Sequence, residues 1–352
     1  MTQVSDPGGA ADLPSPPSLP AALAASTGLA LPYAVLADRD DGTVVRCGEI
    51  VAKAHAGDAD RDGLAVRMRI AGHRALAGVL LAPLRPAPGS VHGRPVSLWP
   101  YGAPVDPERP EDAPWEAAAR LLAALHRIPV HELPGPVPPM RGPAKLARAL
   151  ARLARAEPLL AAVPEPAAPP GEDPARRGPC VPAARAQPVP GDARAVWAAA
   201  GFLPAWARGE AAAPPGGTLC HGDLHLGQLV RYPAGEGPWL LIDVDDLGLG
   251  APAWDLARPA AWYAAGLLGP GTWQRFLDAY RAAGGPAAGP PGSDPWPQLD
   301  LAARALTVQT AALALAKAAE GRRRLDDGER LVVDACRRMA ALPPDVRPAP
   351  GS

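Results

Sequence analysis

The chain has 352 residues, 48% hydrophobic and 20% charged, with a formal net charge of -1. That composition can bury a sizeable core in one or two lobes. It supplies neither the basic field that nucleic acid calls for nor a polybasic membrane patch, so neither partner is expected. No apolar run reaches the roughly 20 residues needed to span a bilayer, and no positively charged segment precedes the first apolar residues as in a signal peptide. Cys47, Cys180, Cys220 and Cys336 are scattered without a Cys-x-x-Cys pair. They read as reduced thiols of a cytoplasmic protein, not as a disulfide framework or a zinc site. The chain has no Asn and three Lys, Lys53, Lys145 and Lys317, which reflects an Ala/Arg/Pro/Gly bias.

Residues 1–29 are rich in Pro, Ala, Gly and Ser and are expected to form a mobile tail. Strand patterning follows. Thr43–Arg46 and Glu49–Lys53 flank Cys47-Gly48, a hairpin turn signal. Residues 60–73 suit a short helix with Leu64, Met68 and Ala71 on one face, Gly78–Leu84 a buried strand, and Val96–Gly102 a last strand broken by Pro and Gly. Residues 30–102 therefore read as a small β-rich lobe with one helix.

Residues 103–341 read as a larger, mainly helical lobe, which makes the fold class α+β. Pro114 opens a helix with Ala118, Leu121, Leu122 and Leu125 on one stripe. Leu146, Leu150 and Leu153 share a face opposite Arg148, Arg152 and Arg155. Residues 164–191 form a Pro-rich insertion, and Asp192–Leu203 a helix stopped by Pro204. Asp255 starts a helix running through Trp262, and residues 295–320 form a long apolar helix with Leu299, Leu306 and Leu313 seven apart. Residues 342–352 form a second mobile tail.

The chemistry lies in His221-Gly222-Asp223-Leu224-His225-Leu226-Gly227-Gln228, followed by Leu241-Ile242-Asp243-Val244-Asp245-Asp246. A loop with one acid and one amide, then an apolar strand ending in acids, suits phosphoryl transfer. There a carboxylate orients a hydroxyl while oxygen ligands hold magnesium on nucleotide phosphates. Three crowded acids are costly unless a cation or donors offset them. Asp245 and Asp246 individually fit solvated acids as well as ligands. Lys53 lies in an alternating strand of a chain that mostly uses Arg, and a compact ammonium suits nucleotide phosphates. The plain alternatives are a turn aspartate at 223 and a solvent-facing lysine at 53.

His221–Gln228 with Ile242-Asp243 and Trp254-Asp255-Leu256-Ala257 resembles the aminoglycoside phosphotransferase family. That family belongs to the protein-kinase-like fold, with choline, fructosamine and maltose kinases as relatives. The resemblance covers roughly residues 30–340 and is specific mainly over 219–262. The family loop usually ends in Asn, where this chain has Gln228; some sugar-kinase relatives also end in Leu-Gly-Gln.

The resemblance implies a two-lobed fold in which Asp223 steers the acceptor hydroxyl and Gln228 and Asp243 hold Mg2+. It implies that Lys53 contacts the phosphates of ATP or GTP, and that backbone groups at Leu98, Trp99 and Tyr101 read the base. His221, His225 and Asp255 then brace the loop. Besides Gln228, the pattern departs from the family in two places. No Gly-x-Gly-x-x-Gly loop precedes Lys53, Asp40-Asp41-Gly42-Thr43 standing in its place, and no Glu partner for Lys53 is apparent. The implied activity is transfer of a γ-phosphoryl group to a hydroxyl of a small molecule, an aminoglycoside or other amino sugar. The alternatives are a maltokinase-like sugar or amino-alcohol kinase of metabolism, and a nucleotide-binding pseudokinase with a regulatory role. Asp243, Asp245 and Asp246, with Asp326, Asp327 and Glu329, favour an amine-bearing acceptor. Arg322, Arg323 and Arg324 oppose that field.

Overall fold

The computed structural model describes residues 17–39, 42–161, 188 and 190–342. Asp40, Asp41, nearly all of the Pro-rich insertion and all but the first residue of the C-terminal tail lie outside the described residues. The chain forms two units, one running to Ala65 and resuming over Pro83–Tyr101, the other comprising Val66–Ala82 and everything from Gly102 onward.

The first unit contains α1 (Leu19–Ser26), β1 (Tyr33–Arg39), β2 (Gly42–Cys47), β3 (Ile50–His55), the start of α2 (Arg61–Ala71), β4 (Gly89–Val91) and β5 (Arg94–Pro100). Its five strands lie in the order β1-β2-β3-β5-β4, every neighbouring pair antiparallel. Alternation brings Val45, Ala52, Ala54, Val96 and Leu98 to one face, where Leu23 and Ala24 of α1 pack on them. The expected N-terminal tail is thus corrected over Leu19–Ser26. A segment that looks featureless by composition is an Ala/Leu helix, and its Leu23 is fully buried. The β2–β3 turn also falls one residue later than expected. Cys47 pairs with Ile50, leaving Gly48-Glu49 as the turn, and Gly48 takes the positive φ (57°) that favours glycine.

The second unit continues with β6 (Ala103–Pro104), α3 (Trp115–His126), α4 (Gly142–Ala161), α5 (Pro190–Ala200), β7 (Thr218–Cys220), β8 (Leu229–Arg231), β9 (Trp239–Leu241) and β10 (Gly248–Gly250). Four helices complete it: α6 (Ala253–Ala265), α7 (Pro270–Ala282), α8 (Trp296–Glu320) and α9 (Asp327–Ala340). Its helical core gathers Leu146, Leu150 and Leu153 of α4, Val196 of α5, Val308 and Leu315 of α8, and Val332 and Val333 of α9. By length and composition α8 could cross a membrane, but 72% of its most apolar window is buried in the protein. The stretch expected as a strand at Gly78–Leu84 is instead an isolated bridge, Leu80 to Leu241, and belongs to this unit through Ala82. Val79 and Leu81 flank β9, with Leu241 N–H donating to Val79 O and Leu81 N–H to Leu241 O, both at 2.9 Å. β6, β8 and β9 form one small antiparallel sheet, and β7 and β10 a two-stranded one. The loop His221–Gln228 joins β7 to β8, and the turn Asp243–Asp246 joins β9 to β10.

Candidate active site

The loop is fixed from beneath by Asp255, in the first turn of α6 and fully buried. Its Oδ2 accepts from His221 N–H at 2.7 Å and from His126 Nε2 at 2.9 Å, while Oδ1 accepts from Gly222 N–H at 2.7 Å. An imidazole with its hydrogen on Nε2 serves Asp255 and accepts the Tyr280 hydroxyl at Nδ1, 2.8 Å away. The Tyr280 oxygen in turn accepts from Ala287 N–H at 3.2 Å. Burial pushes the Asp255 carboxyl up, but the His126 and Gly222 hydrogen bonds help to hold it below its ordinary value. Gly222 sits at φ 84°, where a Cβ would lie 2.5 Å from Asp246 O, so backbone and space both demand glycine. His221 Nε2 donates to Ile242 O at 2.8 Å, tying the loop to the end of β9.

His126, Cys220 and Asp255 place potential ligand atoms within 4.8 Å of one another. The His and Asp atoms are spent on hydrogen bonds, and burial pushes the Cys220 thiol far above its ordinary value. Within this trio His126 and Asp255 brace the loop.

Gln228 ends a short 3-10 turn, Leu226–Gln228, capped by His225 Nδ1 accepting from Gly227 N–H at 3.1 Å. Ile242 N–H donates to Gln228 O at 2.9 Å, so loop and strand end are paired. Gln228 Nε2 donates to Asp243 Oδ2 at 3.3 Å, which leaves the amide oxygen available. Asp243 adopts φ 65°, in the left-handed region, and its Oδ1 accepts from Asp245 N–H at 3.3 Å. One neutral amide oxygen and one carboxylate are hard oxygen donors of the kind magnesium takes. The donor set therefore fits magnesium.

Asp223 is held at both oxygens. Arg258 Nη2 reaches Oδ1 at 2.9 Å and Lys145 Nζ reaches Oδ2 at 2.7 Å. Arg258 also donates to Leu224 O at 2.9 Å, and Lys145 lies 2.5 Å from Asp246. Burial raises the Asp223 carboxyl, but Lys145 and Arg258 together outweigh it and hold the group well below the usual carboxylate range. Burial, reinforced by Arg258, lowers His225 to about 4, so its imidazole is neutral at neutral pH. Asp246 is a buried ion-pair partner of Lys145 and not a solvated acid. Asp326 and Glu329, expected from sequence to favour an amine-bearing acceptor, form the capping box of α9, and Arg323 grips Glu329 through two contacts of 2.6 Å.

The remaining expected residues belong to the first unit. Lys53 of β3 pairs across the sheet with Val44 and Ser97 and is half-buried, its Cε 3.9 Å from where a Cβ on Gly42 would stand. Leu98 packs in the sheet core, and its carbonyl accepts from Leu84 N–H at 2.8 Å. The Trp99 indole donates to Ser97 Oγ at 2.9 Å. Tyr101 N–H is committed to Glu49 O at 2.8 Å, and the Arg46 guanidinium lies 3.3 Å from the centroid of its ring. Sequence reasoning did not single out Lys145, Arg258, His126 or Tyr280 as site residues. The scarcity of lysine was a usable signal for Lys145; the other three carry no local mark.

The sequence profile of the phosphotransferase enzyme family matches residues 64–296. No curated protein matches the chain by sequence. Among solved structures, an apo thermostable mutant of aminoglycoside phosphotransferase APH(4)-Ia is similar at TM-score 0.55 and 14% identity, over 92% of this chain and 98% of that one. A thermostable mutant of the same protein in ternary complex with AMP-PNP and hygromycin B gives 0.55 and 15%, over 92% and 99%. A choline/ethanolamine kinase family protein from Mesorhizobium loti gives 0.52 and 19%, over 92% and 94%. These likenesses establish the fold as protein-kinase-like, with a β-sheet N-terminal region and a helical C-terminal part.

Proposed function

Because this chain belongs to the phosphotransferase enzyme family, we propose that it moves the γ-phosphoryl group of ATP or GTP to a hydroxyl of a small molecule, with Asp223 steering that hydroxyl. The carrying observation is the close pair of Gln228 and Asp243, 3.3 Å apart and paired through the backbone to the loop that presents Asp223. Gln228 and Asp243 would hold Mg2+, which offsets phosphate charge when bound. Lys53 would contact the α- and β-phosphates, and Leu98, Trp99 and Tyr101 would border the base.

Asp223 accepts the hydrogen of the acceptor hydroxyl and aims its oxygen at the phosphorus. A loose transition state needs that orientation more than strong basicity, which suits a carboxylate held ionised by two cations. His221 and Asp255 keep the loop backbone in place, and neutral His225 caps its last turn.

For the acceptor, Asp243 and Asp245 support an amino sugar, an aminoglycoside among them, and one structural neighbour was solved with hygromycin B. A second reading, a sugar kinase with a neutral acceptor, is favoured by the pairing of Asp246 with Lys145 and of Glu329 with Arg323, which removes much of the acidic field. The free thiols Cys47, Cys220 and Cys336 suit a cytoplasmic enzyme.

The test is a panel of matched alcohols, with and without an amine, incubated with radiolabelled ATP with and without magnesium. Metal-dependent labelling of an acceptor is the expected result. Nucleotide binding without turnover on any acceptor or water would identify a pseudokinase. Calorimetry should show loss of metal-coupled ATP binding in Asp243→Ala and a milder loss in Gln228→Ala, because a carboxylate contributes charge and an amide only a dipole.

A further inference from the structure

Lys145 lies in the first turn of α4 with its ammonium between two carboxylates, 2.7 Å from Asp223 and 2.5 Å from Asp246. Asp246 is buried, in the turn that follows the Asp243 strand end, and Arg141 approaches it at 3.7 Å. Arg258 of α6 holds the other oxygen of Asp223. We propose that Lys145 is a positioning residue for phosphoryl transfer, fixing the carboxylate plane of Asp223 against Asp246 as a counter-anchor. The inference rests on the reading of Asp223 as the group that steers the acceptor.

A carboxylate held at one oxygen still turns about its last side-chain bond; one held at both oxygens, from two different helices, does not. Each oxygen keeps a second lone pair, so the acceptor hydroxyl can donate to Asp223 without displacing either cation. The choice of lysine is chemically specific. Among 35 basic residues only three are Lys. A compact ammonium with three donors serves two carboxylates in different directions, whereas a planar guanidinium favours one bidentate partner. The Lys145 side chain is 20% exposed and partly desolvated, and two carboxylates offset that cost. The groups facing Asp223 are Lys145 from α4, Arg258 from α6 and His225 from its own loop. The plain rival is a stabilising salt bridge that bears on folding alone.

The test is a double-mutant cycle on the full chain, using Lys145→Met to keep the aliphatic stem and Asp223→Asn to remove the steered charge. Turnover is read as magnesium-dependent ATP hydrolysis with water as acceptor, beside a 13C NMR titration of the Asp223 carboxyl. Lys145→Met should lower turnover by about 10- to 100-fold, leave the KM for ATP within about twofold because nucleotide contacts are untouched, and raise the pH at which Asp223 titrates. In the Asp223→Asn background it should have no further effect. Equal losses in both backgrounds, unchanged turnover, or an unmoved Asp223 titration would each overturn the proposal. If the wild-type protein turns over neither water nor any alcohol, the functional reading fails and the titration alone decides the anchor. Should Lys145→Met not fold, Asp246→Asn decides by the same cycle, with a smaller loss that again vanishes beside Asp223→Asn.

Discussion

Asp255 and Asp223 are carboxylates of the same unit, both titrating below their ordinary value, for different reasons. Asp255 is fully buried, held by two backbone N–H groups and an imidazole. Asp223 keeps 23% of its side chain exposed and is balanced by the long side chains of Lys145 and Arg258. The first is satisfied by groups that cannot leave without unfolding the loop. The second is satisfied by groups with torsional freedom and retains an open face. A perturbed carboxylate is therefore not in itself a mark of catalysis; whether its partners leave room for a substrate decides.

The sharpest test of this contrast is Asp223→Asn. It should lower turnover by about 10²–10⁴-fold while leaving nucleotide affinity close to wild type, with a smaller loss of stability than at Asp255 because Lys145 keeps Asp246 as a partner. Most of the activity surviving would dissolve the distinction. Asp255→Ala should act in the opposite sense, chiefly on stability. It strands the N–H groups of His221 and Gly222 and the His126 ring, at a cost of about 3–5 kcal/mol, read from urea unfolding.

The pH dependence sharpens the same comparison. The Asp255 carboxyl is lowered on folding, so its contribution is fully present above the unfolded carboxylate value of about 3.9 and is lost as pH falls below it. Asp255→Asn, which lacks that titration, should lose less stability than wild type between about pH 4 and about pH 2. An equal loss in both would show that Asp255 is not the group responsible. A smaller and more local effect is expected in the first unit. Leu23→Ala should cost about 2–4 kcal/mol, because Leu23 is fully buried on the sheet. A neutral result would restore the view of this segment as a dispensable tail.

Much of the candidate site was legible because its residues are close in sequence. His221 to Gln228 and Leu241 to Asp246 fix residue types that only a loop and a strand end bring to one place. The partners were not legible. Lys145, His126 and Tyr280 reach the loop from helices far along the chain, and no local pattern reports where a helix face will point. Arg258 follows Asp255 by three residues, the spacing of one helical turn, yet only the fold aims it at Asp223. The large helical elements followed from apolar periodicity, as with Leu146, Leu150 and Leu153. Helix α1 was hidden because Ala- and Pro-rich composition was read as an obstacle to order, when four-residue spacing of Leu19 and Leu23 was enough to seat a short helix on a sheet. The shift of the turn to Gly48-Glu49 was set by strand register, which sequence constrains to within a residue but no better.

Asp243 holds its backbone at φ 65°, a conformation that costs an ordinary L-residue about 1–2 kcal/mol and glycine little. Asp243→Gly relieves that conformation but gives up the hydrogen bonds from Gln228 Nε2 and Asp245 N–H, so its urea midpoint should stay within about 1 kcal/mol of wild type, while the carboxylate proposed to hold magnesium is gone. On the proposed function, folding is thus nearly indifferent to this position and transfer alone keeps the aspartate there. A descendant no longer needed for catalysis would be free to surrender Asp243 with its melting temperature little changed.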